Sequence, residues 1–179
     1  RGRIVMARGL SEQIVLELAA RKQEPKWVTD LRLKSLRFWE KLDMPEWGPG
    51  LEALDFDKIE TYIKPQQEMV KSWREVPREI RETFEKLGIP EAEREALGGV
   101  GAQYNSEMIY FNLKKQVEAK GVVYLSMEKA VKSRQKLLVE GEWREVRGLV
   151  REYLMKILPP ENYKFAALNG ALWSGGSFI

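Results

Sequence analysis

The stretch from Pro159 to Ile179 constrains the fold most. Pro159-Pro160 must stop any helix that reaches it, because proline lacks the amide donor and its ring clashes with the preceding turn. Phe165, Leu168 and Leu172 then recur at helical spacing, and Gly175-Gly176 punctuates before Ser177-Phe178-Ile179, which reads as the start of a strand. A lone strand leaves its backbone donors and acceptors unpaired. The chain therefore pairs this strand internally or is the front part of something longer.

Side-chain chemistry narrows the function classes. The 179 residues contain no Cys and no His. Disulfides, cysteine nucleophiles, a Ser-His-Asp triad, the usual zinc and haem ligands and Cys-ligated iron–sulfur clusters are thus excluded within this chain. Chemistry here would rest on carboxylates, Lys, Tyr or Ser, and no convergent constellation of these is visible. Basic residues number 30 and acidic residues 27, interleaved as on solvated helix faces, and the net charge is +3. Nothing in that pattern asks for nucleic acid. No apolar run approaches the roughly 18 residues of a membrane span, and no signal-peptide pattern is visible.

Helix signals dominate the first part of the chain. Ser11 can cap a helix in which Leu10, Ile14 and Leu18 share a face, ending near Gln23. Pro25 opens a second helix with an apolar stripe of Trp27, Val28, Leu31, Phe38, Trp39 and Leu42; Arg32, Lys34, Arg37 and Lys41 are expected to face water. In the turn-rich run after it, Trp47 should plug against that helix. Asp55 and Asp57 invite a metal-pair reading, but residues two apart diverge on a helix. Asp55 reads better as the cap of a short helix carrying Phe56, Ile59 and Tyr62.

Residues 65–76 read as a linker. Pro77 opens a helix with Ile80, Phe84 and Leu87 on one face, ended by Gly88. Another short helix is expected from Pro90 to Leu97. Gly98-Gly99-Val100-Gly101 lacks the spacing and the Lys-Ser/Thr of a phosphate loop. A strand or a helix start is expected around Met108 to Phe111, then a charged helix at about Leu113–Lys120. Val122 to Leu125 is the clearest strand. Ser126 should cap a helix from Met127 to about Lys132. A longer helix from Glu142 should place Trp143, Val146, Val150, Tyr153, Leu154 and Ile157 on one side. The terminal segment, through Phe165, Leu168, Leu172 and Trp173, should pack on that helix.

Several of these stretches carry a resemblance. The run 159–178 (PPENYKFAALNGALWSGGSF) looks like the entry to the β-helix of the SufB family, scaffold subunits of iron–sulfur cluster assembly. Residues 24–49 (EPKWVTDLRLKSLRFWEKLDMPEWGP), 54–65 (LDFDKIETYIKP), 72–93 (SWREVPREIRETFEKLGIPEAE) and 99–107 (GVGAQYNSE) are also similar to that family, in order, so the resemblance spans about residues 9 to 179. It implies a SufB-like N-terminal region of the SufB/SufD family. The implied fold is mainly α with minor β (α+β), leading into the first strand of a β-helix that this chain does not contain. The implied organisation is a helical segment at 1–64, the linker at 65–76, an α+β segment at 77–173 and the β-helix entry at 174–179. It further implies a cytoplasmic, non-enzymatic scaffold working with a SufD-type subunit and a SufC-type ATPase, the cluster being carried by the complete protein. No catalytic, cofactor-binding or metal-ligating residue carries over, because the cluster-linked positions of the family match nothing here. Three classes stand: a structural and interaction domain of the scaffold, a stand-alone helical interaction module of the same ancestry, and a carboxylate enzyme.

Overall fold

The computed structural model describes residues 4–64, 70, 72–88, 99–104, 106–113 and 115–179, with the backbone alone at 4, 5, 111 and 112. The fold mixes helix and strand, in keeping with an α+β class. Two compact units share the chain: residues 5–62 with 128–174, and residues 1–4, 63–127 and 175–179. Two-residue strands lie where the chain passes between units, Ile4–Val5 (β1) and Ile63–Lys64 (β2).

The first unit is built on helices. Helix α1 (Glu12–Arg21) starts where expected, and the Ser11 hydroxyl accepts a hydrogen bond from the Ile14 amide. It ends in a Schellman turn, with the Gln23 amide bonding the Ala20 carbonyl and the Glu24 amide the Ala19 carbonyl. Gln23 takes the left-handed conformation (φ 50°) that glycine usually supplies. Helix α2 (Lys26–Lys41) follows immediately. Glu145, at the end of a hairpin, leads into α6 (Val146–Tyr153), and α7 (Lys164–Leu172) packs chiefly on α2.

The α2–α7 seam is made by small residues. Ala166, Ala167, Gly170 and Ala171 are buried on α7, with Leu36, Trp39 and Ser35 buried on α2. Phe165, Leu168 and Leu172 are half-buried. A Cβ on Gly170 would lie 2.4 Å from the Ser35 Oγ and 2.8 Å from its Cβ. A second cluster of Met6, Ile14, Leu18 and Tyr62 lies on the other face of α1.

Arg32 overturns the expected water-facing set of α2. It is wholly buried. Its Nε and Nη2 donate to the two carboxylate oxygens of Glu24, at 2.7 and 2.6 Å. Nη1 donates to the Ala171 carbonyl (3.0 Å) and Nη2 to the Trp173 carbonyl (2.9 Å), and the guanidinium lies 4.6 Å from the Trp173 ring centroid. Amphipathic spacing marks this position as polar, but it cannot reveal a carboxylate eight residues back and two helix-end carbonyls more than a hundred residues ahead.

Other expectations change as well. The helix expected from Glu142 begins only at Val146. Residues Glu142–Glu145 (β7) pair instead with Lys136–Val139 (β6). The connecting Glu140 (φ 52°) and Gly141 (φ 86°) are both left-handed, as a two-residue type I′ turn requires. The Val146 and Arg147 amides bond the Gln135 and Ser133 carbonyls, which fixes the helix start. Trp143 and Ile157 are 69% and 99% exposed, so they belong to no buried stripe. The terminal helix thus packs chiefly on α2, not on the helix holding Val150. Trp47 meets Tyr163 edge-on, at 5.7 Å between ring centroids, and is largely exposed. Asp55 caps a 3-10 turn at Phe56–Lys58, its carboxylate accepting from the Asp57 amide.

The second unit centres on a hairpin of β3 (Gly99–Tyr104) and β4 (Glu107–Leu113), with a bulge between Ala102 and Gln103. Ala102, Ile109 and Tyr110 pack with Val76 and Ile80, the latter on helix α3 (Arg78–Lys86). Gly88 follows α3 with φ 76°. Of the stretch read as a linker, Val70, Trp73 and Val76 belong to or pack on this cluster. The helix expected from Pro90 lies outside the described residues. Gly99 and Gly101 are therefore strand residues. A Cβ at Gly99 would lie 2.8 Å from the Tyr124 ring, and one at Gly101 2.9 Å from its hydroxyl, so these glycines admit Tyr124.

Helix α4 is one turn, Lys115–Glu118, shorter than expected because Leu113 ends β4. The expected strand at 122–125 shifts to Leu125–Ser126 (β5), followed by α5 (Met127–Ala130). β5 pairs antiparallel with Ser177–Phe178 (β8), so the terminal strand finds a partner within the chain.

The Gly170–Ser35 approach sets a test. On helix propensity, Gly170→Ala should stabilise by about 1 kcal/mol. We expect the opposite sign, a loss on the order of 1–3 kcal/mol from overpacking. In a Ser35→Gly background the same substitution should become neutral or stabilising. Urea unfolding of the four variants checks this, and stabilisation by Gly170→Ala alone would contradict the close approach.

Candidate interaction groove

Among the described residues, no group of three or more acidic side chains is placed to hold a metal ion, and no helix is long and apolar enough to cross a membrane. The Asp55 carboxylate is engaged in capping the Asp57 amide and pairing with Lys58. What the helical unit does offer is a concave site of about 470 Å³.

Three segments wall it. The α1–α2 turn contributes Gln23, Pro25 and Trp27. The stretch after α5 contributes Val131, Lys132 and Arg134. The end of β7 and the outer face of α6 contribute Glu145, Arg147, Gly148 and Arg151. Local sequence explains each wall. The Schellman turn swings the chain so that α2 opens at Pro25. The tight hairpin returns the chain beside Ser133–Gln135. Arg147 and Arg151, four apart on α6, share a face.

The lining is strongly cationic. Four cations stand against one carboxylate, an excess equal to the +3 of the whole chain. Glu145 pairs with Arg147. The Lys132 ammonium donates to the Lys22 carbonyl (2.7 Å), which holds it in place. Lys22 is itself buried, paired with Glu128 and 5.4 Å from the Tyr62 ring centroid. Arg134 and Arg151 are exposed and make no ion pair among the described residues. Helix α2 begins at Pro25 with no side-chain cap and no acidic residue in its first turn, so its positive end is not neutralised there. A Cβ on Gly148 would meet nothing within 4 Å, leaving the α6 wall open to an approaching chain.

Sequence reading found none of this as a site. The cations come from two stretches that look like ordinary solvated faces, and only the hairpin, itself unexpected, brings them together. This arrangement is suited to binding anions.

The sequence is 48% identical over 172 residues to an iron–sulfur cluster assembly SufBD family protein of Staphylococcus epidermidis, covering 96% of this chain and 34% of that protein. The iron–sulfur cluster assembly protein SufB of Bacillus subtilis is also 48% identical over the same shares, and a SufBD family protein of Staphylococcus aureus is 46% identical. The chain belongs to the SufBD family. It spans about a third of the length of the curated relatives it matches. No family model matches it. The SufBD-type motifs at 24–49 contain both Glu24 and Arg32, so in this chain the familial sequence includes the buried ion pair.

The hairpin beside the groove carries a pH dependence. Arg144 on β7 pairs with Glu152 on α6. Its hydrogen bond holds the Glu152 carboxyl below the ordinary 4.5, and the carboxylate raises the Arg144 guanidinium above its usual value. With a depressed folded pKa, the pair's contribution is present above pH 4.5 and is lost as pH falls through the folded value. We expect carbon-detected NMR to show Glu152 titrating below the ordinary 4.5, and Arg144→Gln to return it to the ordinary range. An unshifted Glu152 in the parent chain would contradict the pairing.

Proposed function

We propose that this chain is the N-terminal region of a SufB-type scaffold and serves structure and subunit interaction in an iron–sulfur assembly complex. The carrying observation is similarity over 96% of the chain to proteins named for iron–sulfur cluster assembly. In this reading the partners are a SufD-type subunit and a SufC-type ATPase. ATP hydrolysis belongs to the latter, and the setting is the cytoplasm. The cluster forms on the complete protein and not on this region.

The donor set supports that division. Iron–sulfur clusters are held by thiolates, with imidazoles in some types. The chain has neither Cys nor His, so its residues do not fit a cluster. The residues instead build two small packed units and an exposed cationic groove, which suits a domain that binds other chains.

Anaerobic reconstitution tests this. With iron, sulfide and reductant, the chain should retain no stoichiometric iron or sulfide after desalting. The longer protein that contains it should retain both and should co-purify with the SufC-type ATPase. A stable visible chromophore on this chain alone would overturn the reading, as would a longer protein that takes up no cluster.

A further inference from the structure

The geometry points to the groove between the α1–α2 turn and α6 as a docking site for an acidic, extended segment of a partner protein. The inference goes beyond the assembly reading and stands without it, since it rests only on the site's shape and charge.

Charge complementarity identifies the occupant. Lys132, Arg134, Arg147 and Arg151 face one concave space, and one of them, Arg147, is matched by Glu145. The uncapped start of α2 at Pro25 adds its positive end to the same side. Planar guanidinium forks match carboxylates in two parallel hydrogen bonds. Pro25 and Trp27 supply an apolar strip on which the methylene stems of glutamate side chains can lie. The cations come from separate segments along an open trough, as a series of carboxylates on an extended chain would need. A compact polyphosphate would instead favour a nest of converging backbone amides. The gap at Gly148 gives a ligand backbone room to approach α6.

The test uses the whole chain and a fluorescein-labelled octaglutamate, followed by fluorescence anisotropy. Binding should be saturable, absent for the octaglutamine peptide, and weakened about tenfold or more between roughly 50 and 300 mM salt, as the screening length shortens. Arg134→Glu with Arg151→Glu should abolish it. Arg37→Glu with Lys41→Glu changes the net charge equally on an exposed face of α2 outside the groove lining, and should weaken binding less than about threefold, the nonspecific share expected of distant charge. Circular dichroism of both double variants should match the parent. Equal loss in the two double variants would overturn the proposal, since it would mean binding by overall charge. No binding by the parent would also overturn it. So would displacement of the peptide by tripolyphosphate at concentrations well below those of unlabelled octaglutamate, which would make the site one for a small anion.

Discussion

The helical unit depends on one buried cation. Arg32 is out of water entirely and would be costly there without compensation, because removing an ion from solvent costs several kcal/mol even after relaxation. Glu24 offsets this through two parallel hydrogen bonds, and the carbonyls of Ala171 and Trp173 take two more donors. Those carbonyls belong to the end of α7, where a helix has acceptors without intrahelical partners and a partial negative charge. Arg32 therefore acts as the C-terminal cap of α7, delivered from the middle of α2. Lys164, at the start of α7, returns the arrangement by donating to the Leu42 carbonyl at the end of α2 while lying 4.7 Å from the Trp39 ring centroid. The two helices thus run antiparallel, each with its final turn satisfied by the other.

This reciprocal capping explains why the seam can be built from small residues. Ala167, Gly170 and Ala171 bring little apolar area, but they let α7 approach until Gly170 meets Ser35. Close approach places the end of α7 within reach of Arg32. Larger residues would bury more surface and push the guanidinium off its carbonyls. In the second unit glycine serves a similar end, since Gly99 and Gly101 give Tyr124 room against β3.

Much of the helical skeleton was legible. Ser11, Pro25, Pro77 and Gly88 are punctuation with local causes, and they mark the ends of α1, α2 and α3 within a residue or two. The family was legible too, from motifs in order. What was not legible depends on distance along the chain. Trp143, Val146 and Val150 fit helical spacing, so a helix is expected from Glu142, where β7 instead pairs with β6 across the Glu140-Gly141 turn. Arg32 has ordinary amphipathic spacing, and its partners lie far away in sequence. The groove follows from both, because the hairpin aligns Arg134 with α6 and the Glu24 turn sets Pro25 and Trp27. Its cations were present in the sequence, but as scattered charges.

The central claim is that Arg32 and Glu24 act as one unit that closes α7 onto α2. A double-mutant cycle with Arg32→Met and Glu24→Gln, read by urea unfolding, tests it most directly. Each single change should cost on the order of 3–5 kcal/mol, because each leaves a buried charge without its partner. The double variant should cost markedly less than the sum, with a coupling energy of about 1.5–3 kcal/mol. Additive losses, or single losses below about 1 kcal/mol as for an exposed pair, would contradict the account.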